Sequence, residues 1–515
     1  MKLTKSIHLK NSAALSFVAA LLAALAIAQT PDRVKLPDTP AGKTFAAFLA
    51  AFNSGKLETM RRFHSEREGN ADNADQDLDF YNQTGGLTLH SIKQAGDYEV
   101  EALMQTKKDG RWLNFKMQVG ATAPYPATDI QVHPADAPAD RSSGERPKRD
   151  AGGDKKPADA GAPAKKLTEA EIIESFNTFL DGLVKADRFS GVVLIARNGK
   201  PFFEKAYGLA DKTRSLANNP QTKFNLGSMN KMFTAVAIAQ LAEQGKLSFD
   251  DTVGKFLPDY PNKEVASKVT IHHLLTHTSG LGSYWNAKFD ARRTAIKTVA
   301  DYLALFADEP LRFAPGARFE YSNSGYIVLG AIIEKVAGQS YYDYVREHIY
   351  KPAGMRQTDA YQITDNTPNL ARGYTNLGPD DNPASGPRRE NTASLPNRGG
   401  PAGGGYSTVE DLLRFATALG NHQLLSAKST ELLTTGKVEM GPGGKYGYGF
   451  GEHQMNGCRI FGHNGGAPGI GSDLSIFPGP GYVAVVMTNY DPPLMMPVAR
   501  KIRELLTQGA DRTAR

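Results

Sequence analysis

A serine and a lysine three residues apart, Ser228 and Lys231, open an almost wholly apolar stretch of the chain. A helix that is apolar on nearly every side is a buried one, and the unpaired N–H groups of its first turn favour negative charge. Because residues three apart share a helical face, we expect the Lys231 amine to lie beside the Ser228 hydroxyl. Desolvation would lower the pKa of that amine and make it a base for the serine proton. The pair predicts a nucleophilic serine; the alternative is a helix-capping serine with a solvated lysine.

A second segment, Tyr321-Ser322-Asn323, follows Pro315-Gly316 and precedes an apolar helix around residues 327–336. A tyrosine can pass a proton between a serine and a leaving group when a nearby cation lowers the tyrosine pKa. The amide of Asn323 can hold a substrate carbonyl. The same residue types would also suit a core tyrosine and a turn asparagine.

A third segment, His463-Asn464-Gly465-Gly466, leads through a glycine-rich bend into the apolar run 474–477. Glycine lets the backbone at a sheet edge come close to a ligand. An N–H group there could pair with that of Ser228 to form an oxyanion hole. The alternative is a loop histidine among turn glycines.

The order and spacing of these segments resemble those of the serine β-lactamase and penicillin-binding protein superfamily. The chain is most similar to the class C β-lactamase-like branch, which includes esterases, D-aminopeptidases and D,D-peptidases. Further blocks typical of that branch are residues 270–281, 315–330, 352–355 and 403–411. The resemblance covers about residues 170–507.

This resemblance implies a mixed α/β (α+β) fold, with an antiparallel sheet and a helical subdomain. It implies that Ser228 is the acylated nucleophile, that Lys231 is a general base or proton relay, and that Tyr321 activates water for deacylation. The substrate-binding residues that it implies are Asn323, His463, Gly465 and Gly466. The N–H groups of Ser228 and Gly466 would form the oxyanion hole, and neither a cofactor nor a metal is expected.

One departure from the family pattern lies at His463. The penicillin-interacting members carry Lys-Thr-Gly where this chain has His463-Asn464-Gly465. The family's lysine helps to hold a substrate carboxylate and keeps the tyrosine anionic, whereas histidine is neutral or only partly charged near neutral pH. We therefore expect small esters and D-amino-acid peptides or amides, including peptidoglycan-derived fragments, as substrates and only weak action on β-lactams.

The start of the chain predicts export. Three lysines, Lys2, Lys5 and Lys10, precede an apolar run over residues 13–26, and Ala26-Ile27-Ala28 is a small-x-small cleavage pattern. Residues 1–28 are therefore a predicted signal peptide, which places the mature protein in a periplasm or outside the cell without stable membrane insertion. An uncleaved anchor is the alternative, but the apolar run is short for a span of about 20 residues.

The rest of the chain divides by composition. Residues 38–133 predict a small α+β domain resembling the cystatin-like fold, with apolar positions 45, 48, 49 and 52 on one helical face and two-residue alternation over 113–119. Residues 134–166 are rich in Pro, Ala, Asp, Lys and Gly and predict a disordered linker. Residues 167–510 form the predicted hydrolase domain. Capping boxes are expected at Thr168 with Glu171 and at Ser407 with Glu410.

Overall composition bounds the function. The chain has 515 residues, of which 40% are hydrophobic and 22% charged, and a mean hydropathy of −0.40, which excludes a polytopic membrane protein and a wholly disordered chain. The net charge of +6 includes three lysines of residues 1–28, so the remaining excess is too small to predict nucleic-acid binding. The single cysteine, Cys458, cannot form an internal disulfide.

Three other features leave alternatives open. A metal site at His272, His273 and His277 is disfavoured because no carboxylate or cysteine pattern accompanies these histidines. Tyr284 and Trp285 either line the substrate pocket or pack beneath a loop. A non-catalytic acyl-trapping receptor or cell-wall-binding scaffold that retains the fold is the alternative to an enzyme.

Overall fold

The computed structural model describes residues 34, 36–68, 73–108, 110–120, 122–135, 166–377, 386–441 and 443–509. The predicted signal peptide, residues 1–28, and residues 136–165 of the predicted linker lie outside the described residues. The chain divides into two units, Met1–Pro147 and Lys148–Arg515. Within the described ranges, no helix combines the length and the apolar composition that crossing a bilayer requires.

In the first unit, helices precede an antiparallel sheet. The described helices are α1 (Pro40–Asn53), α2 (Leu57–Glu68) and α3 (Asn73–Thr84), and the strands, which pair in chain order, are β1 (Leu87–Ala95), β2 (Glu99–Thr106), β3 (Trp112–Val119) and β4 (Ala127–Pro134). Phe45 and Phe48, on the predicted apolar face of α1, are buried, and each ring lies 5.4 Å from the ring of Phe115 in β3. The α+β class expected for this part of the chain is confirmed.

The second unit combines helices with one large sheet and three two-stranded sheets among its described residues. Its described helices are α4 (Glu169–Lys185), α5 (Asn230–Glu243), α6 (Val253–Phe256), α7 (Lys263–Lys268), α8 (Ile271–Leu275), α9 (Ala287–Arg292), α10 (Val299–Leu303), α11 (Asn323–Ala337), α12 (Tyr341–Val345), α13 (Val409–Gly420), α14 (Ala427–Thr434) and α15 (Pro492–Thr507). Its described strands are β5 (Gly191–Arg197), β6 (Lys200–Tyr207), β7 (Leu209–Asp211), β8 (Leu216–Ala217), β9 (Phe224–Asn225), β10 (Tyr374–Thr375), β11 (Arg389–Glu390), β12 (Tyr406–Ser407), β13 (Val438–Gly441), β14 (Gly444–Tyr446), β15 (Gly451–Met455), β16 (Cys458–Ala467), β17 (Ile470–Phe477) and β18 (Tyr482–Thr488).

The large sheet joins the beginning and the end of this unit. Among the described strands its order is β13-β14-β15-β16-β17-β18-β5-β6, and every neighbouring pair is antiparallel. Strand β5 pairs with β18, with Leu194 opposite Val485. The sequence-based expectation that strands from both ends of the domain form one sheet is therefore confirmed.

Both faces of the sheet are covered, as the side-chain alternation of β5 shows. Val192 and Leu194 belong to the core shared with α5 and the other central helices, whereas Val193 and Ile195 belong to a second core shared with α4 and α15. A strand buried on both faces reads as a continuous apolar run, which is why its sequence shows no alternation. The central helix α5 is buried on all sides in the first core.

Candidate active site

The turn before α5 places Ser228 beside the end of strand β16. A short 3₁₀ turn, Gly227–Met229, runs directly into the helix, and Asn225 Oδ1 accepts the Gly227 N–H at 2.9 Å. Gly227 has φ +47°, and a β-carbon there would lie 2.8 Å from the Gly466 nitrogen of β16. Glycine is therefore needed both for the turn and for the close approach of β16 to the serine backbone.

The Lys231 amine lies beside Ser228, one turn into the helix. Its Nζ atom is 3.2 Å from Ser228 Oγ, 2.8 Å from Asn323 Oδ1 and 2.6 Å from the Ala402 carbonyl oxygen. The side chain is fully buried, and desolvation holds the pKa of Lys231 well below its usual range. No carboxylate oxygen of the described residues lies within 4 Å of the amine to oppose that effect.

These three contacts suit either ionisation state of the amine, and the lowered pKa favours the neutral one. A neutral amine has two N–H bonds and one lone pair. The Asn323 carbonyl oxygen and the Ala402 carbonyl oxygen only accept hydrogen bonds, so they take the two N–H groups. The lone pair is left for the Ser228 hydroxyl, which can donate to it. The geometry thus directs the base toward the serine proton.

Tyr321 lines the cleft with Ser228 and is 41% exposed. Its ring centroid is 4.8 Å from Lys231 Nζ, and the Ser228 side chain is near enough to lower the pKa of Tyr321. Desolvation raises the pKa of Tyr321 above its usual range, and the nearby Ser228 side chain only partly opposes this rise. The causes that set this pKa include no effect of the Lys231 amine. The phenol is therefore protonated at neutral pH, as a proton donor requires.

Asn323 contributes to the site in a way that the sequence did not indicate. It is the first residue of α11, where the Ser322 hydroxyl caps the helix. Its Oδ1 accepts from Lys231, and its Nδ2 donates to the Ser283 hydroxyl at 3.3 Å. In the substrate-free site, the carbonyl oxygen of Asn323 thus orients the lysine, while its side chain also borders the cleft.

The structure places His463 behind the cleft rather than on its wall. Only 8% of the side chain is exposed. Its Nε2 pairs with the buried Tyr446 hydroxyl at 2.8 Å, and its Nδ1 pairs with the Asn464 carbonyl oxygen. Burial, with a smaller effect of Lys231, lowers the pKa of His463 to about 3. In this arrangement both ring nitrogens of His463 have partners within the protein, and a contact of His463 with substrate stays a prediction.

Gly465 and Gly466 have different surroundings. A β-carbon on Gly465 would lie 2.0 Å from the Leu226 carbonyl oxygen, so this residue packs the strand against the turn that carries the serine. Gly466 instead lines the cleft together with Ser228. Of the two, the Gly466 backbone is the one positioned for an oxyanion hole.

A cleft of about 860 Å³ opens in front of Ser228, Tyr321 and Asn323. One wall carries Trp285, which is 53% exposed and stacks on Phe289 with ring centroids 6.2 Å apart and an interplanar angle of 11°. Of the two alternatives left open for Trp285, the cleft position is the one observed. The cleft is large enough for a drug-sized molecule and offers an aromatic surface to it.

Two arginines also line the cleft, and both are engaged by the protein. Arg293 lies 3.6 Å from Asp290 and donates to the Ala393 carbonyl oxygen at 2.7 Å. Arg389 donates to the Leu377 carbonyl oxygen. Neither residue occupies the position at which the family's Lys-Thr-Gly lysine would stand.

Sequence reasoning missed the contacts made by backbone and by distant side chains. The Ala402 carbonyl lies next to the block 403–411 that resembles the family, but no residue type marks a carbonyl oxygen as a lysine partner. Tyr446, which binds His463, lies in β14 at the other side of β15, and no local pattern linked the two.

The histidines of residues 272–277 form no metal site. His272 Nδ1 pairs with the Tyr448 hydroxyl at 2.7 Å, and His273 Nδ1 accepts the Thr270 N–H at 3.3 Å. Across the part of the chain that the structure describes, no group of three or more His, Cys, Asp or Glu side chains could hold a metal ion.

Comparisons with known proteins identify the family of this chain. The family described as Beta-lactamase matches residues 176–508. Penicillin-binding protein 4* of Bacillus subtilis (strain 168) is 33% identical over 312 residues, which cover 57% of this chain and 66% of that protein. The crystal structure of a penicillin binding protein from Bacillus halodurans is 32% identical with a TM-score of 0.56, over 66% of this chain and 100% of that one. A D-stereospecific amidohydrolase from Streptomyces sp. is 25% identical with a TM-score of 0.55, over 67% of this chain and 100% of that one.

Proposed function

The chain belongs to the Beta-lactamase family and is a serine hydrolase, and from this premise we propose that Ser228 forms an acyl-enzyme with small esters and D-amino-acid amides or peptides. The observation that carries the proposal is the buried Lys231 amine, which lies 3.2 Å from Ser228 Oγ and whose other two polar contacts are carbonyl oxygens. A base of this kind activates a serine at neutral pH.

Acylation would proceed with a balanced proton transfer. The Ser228 proton passes to Lys231 as Oγ bonds to the acyl carbon, and the oxyanion is held by the N–H groups of Ser228 and Gly466. When the bond to the leaving group breaks, the leaving oxygen or nitrogen takes the Tyr321 proton. Lys231 then returns its proton to Tyr321, so that the net change is transfer of the serine proton to the leaving group. Deacylation repeats these steps with water as the nucleophile.

The substrate class follows from charge and apolar surface. The neutral, buried His463 supplies no cation for a substrate carboxylate next to the scissile bond. The stacked Trp285 and Phe289 offer an apolar surface on the cleft wall. We therefore favour substrates with an aromatic or apolar group and without a required free carboxylate, and β-lactams as weak substrates at most.

Export is a separate part of the proposal. The basic segment with Lys2, Lys5 and Lys10, the apolar run and the Ala26-Ile27-Ala28 pattern support cleavage after Ala28 and a periplasmic or secreted protein. In that compartment, peptidoglycan-derived D-amino-acid fragments are accessible substrates. N-terminal sequencing of the mature protein tests this part, and a first residue other than Gln29 would contradict the cleavage site.

The deciding experiment measures turnover of p-nitrophenyl acyl esters, D-amino-acid amides, D-alanyl peptides and a chromogenic cephalosporin. We expect the protein to turn over at least one ester or amide, and Ser228→Ala to lower kcat/KM by at least about 10³-fold. Ser267→Ala, at an exposed serine of α7, is the matched control and should leave turnover unchanged. Equal turnover by the protein and by Ser228→Ala would reject the assignment of the nucleophile.

The alternative, an acyl-trapping receptor, predicts a different result. A receptor would accumulate a stable covalent adduct at Ser228 and release no product. Intact-mass measurement during incubation with the ester separates the two functions, because an enzyme shows an adduct only transiently. The contact of Lys231 with the Ser228 oxygen, and the position of Tyr321 in the same cleft, favour turnover.

A further inference from the structure

His277 is a buried histidine in an uncommon backbone conformation. It follows α8 with φ +59°, in the left-handed region, and its side chain is fully buried. Asn, Asp and His are the non-glycine residues most often found there, and such a conformation persists only where its surroundings enforce it. The position therefore restricts the residue types that can occupy it.

The contacts of His277 bracket Tyr321 on both sides along the chain. The His277 carbonyl oxygen accepts the Glu320 N–H at 2.9 Å, and His277 Nδ1 accepts the Ser322 N–H at 3.0 Å. The imidazole also lies against the Tyr321 ring, with centroids 4.2 Å apart. One residue thus holds the backbone before the tyrosine, the backbone after it, and the phenol ring itself.

The buried His277 imidazole leaves one of its polar atoms without a hydrogen bond among the described residues. Because Nδ1 accepts a hydrogen bond, the ring proton of the neutral imidazole is on Nε2. Nε2 is buried and has no hydrogen-bond partner among the described residues. An unpaired buried donor costs about 1–3 kcal/mol, which an apolar ring at this position would avoid. An apolar ring could not supply the nitrogen that accepts the Ser322 N–H.

We propose that His277 is a positioning residue for Tyr321. His277 holds the Tyr321 phenol beside Ser228, where the phenol can deliver a proton to the leaving group. His277 does not border the cleft, and its Nδ1 is occupied, so it is not itself an acid or base in the reaction. This inference rests on the proposed function, in which Tyr321 is the proton donor.

The test is a double-mutant cycle read with two substrates. A p-nitrophenyl ester has a leaving group that needs no proton, whereas a D-amino-acid amide with the same acyl group does. We expect His277→Ala to lower kcat/KM for the amide by about 10- to 100-fold and for the p-nitrophenyl ester by less than about threefold. In the Tyr321→Phe background, the same substitution should change kcat/KM for either substrate by less than about threefold.

Two further variants isolate the acceptor from the ring. His277→Asn keeps an oxygen acceptor at the position of Nδ1 and tolerates the left-handed conformation, so it should restore amide turnover to within about threefold. His277→Phe keeps the ring without the acceptor and should resemble His277→Ala. Circular dichroism and unfolding midpoints establish that each variant is folded. If His277→Ala does not fold, the comparison of His277→Asn with His277→Phe tests the same proposal.

The outcomes separate the two proposals. Equal loss of kcat/KM on both substrates, or the same loss with and without Tyr321, would overturn the positioning role and leave His277 a structural residue. Failure of the proposed function would be recognised independently, as turnover that survives Ser228→Ala.

Discussion

The Nζ atom of Lys231 lies 3.2 Å from Ser228 Oγ, and its other two polar neighbours are carbonyl oxygens that can only accept hydrogen bonds. The arrangement makes the ionisation state of one buried amine decide whether the serine can lose its proton. Burial favours the neutral amine without any second charge, because desolvation alone lowers the pKa of Lys231. Stability and activity should therefore respond to pH through the same atom.

Lys231→Met should remove a pH-dependent contribution to stability. In the folded protein the amine has a lowered pKa, whereas in the unfolded chain it binds a proton up to about pH 10.4. Unfolding therefore takes up a proton, and the free energy of unfolding of the wild type rises with pH across this window. Relative to Lys231→Met, we expect a slope of up to about 1.4 kcal/mol per pH unit between pH 7 and pH 10 in urea titrations.

The matched control for that prediction is Lys246→Met, at an exposed lysine beyond α5. Lys246→Met removes one positive charge at the surface and serves as the reference for that loss. A flat difference for both variants would mean that the Lys231 amine is charged in the folded protein, which would remove the basis for its role as a base.

The neutral state of His463 makes a prediction about the pH–rate profile. Because burial lowers its pKa to about 3, this histidine should produce no inflection in kcat/KM between pH 5 and pH 8. His463→Asn, which loses the bond to Tyr446, should lower stability by about 1–3 kcal/mol and leave the pH of half-maximal kcat/KM unchanged. A shift of that midpoint by a full unit would show that His463 ionises during the reaction.

Gly465 is expected to be intolerant of a side chain. A methyl group there would lie 2.0 Å from the Leu226 carbonyl oxygen, immediately before the turn that carries Ser228. Gly465→Ala should therefore lower the thermal unfolding midpoint and displace the nucleophile, with kcat/KM reduced by at least about tenfold. Gly182→Ala, within α4, meets no atom within 4 Å and should raise stability by about 0.5–1 kcal/mol. Similar midpoints for the two variants would contradict this account of β16 packing.

Local patterns predicted the elements of the fold well where one segment contains all the information. The capping box of Thr168 with Glu171 forms, because both residues lie within one helical turn. The second expected box is wrong by one residue: the Thr408 hydroxyl accepts the Asp411 N–H, and the Ser407 hydroxyl instead pairs with Thr358. A tertiary partner distant in sequence decided which hydroxyl capped the helix.

The features of the active site also fall into those that one segment determines and those that residues distant in sequence determine. The proximity of Lys231 to Ser228 follows from helical spacing and is observed. The state of Tyr321 and the burial of His463 depend on side chains from distant strands and helices, among them Tyr446, so the sequence could not reveal them. The family resemblance gave positions for these residues, but only packing determined their ionisation and orientation.

The exposed Trp285 should select for aromatic substrates. Its ring continues the Phe289 surface on the cleft wall, so an aryl group of the substrate can stack on it. We expect phenylacetyl p-nitrophenyl ester to have a higher kcat/KM than the acetyl ester, and Trp285→Ala to reduce that ratio by about tenfold, the equivalent of about 1.4 kcal/mol. The other tryptophan, Trp112 in the first unit, gives the matched control, because Trp112→Phe should leave the ratio unchanged. In the Trp112→Phe background the remaining tryptophan fluorescence comes from Trp285, and it should change when the aromatic ester acylates Ser228. The aromatic subsite would be excluded from this wall if the fluorescence did not change and Trp285→Ala left the ratio of the two kcat/KM values unchanged.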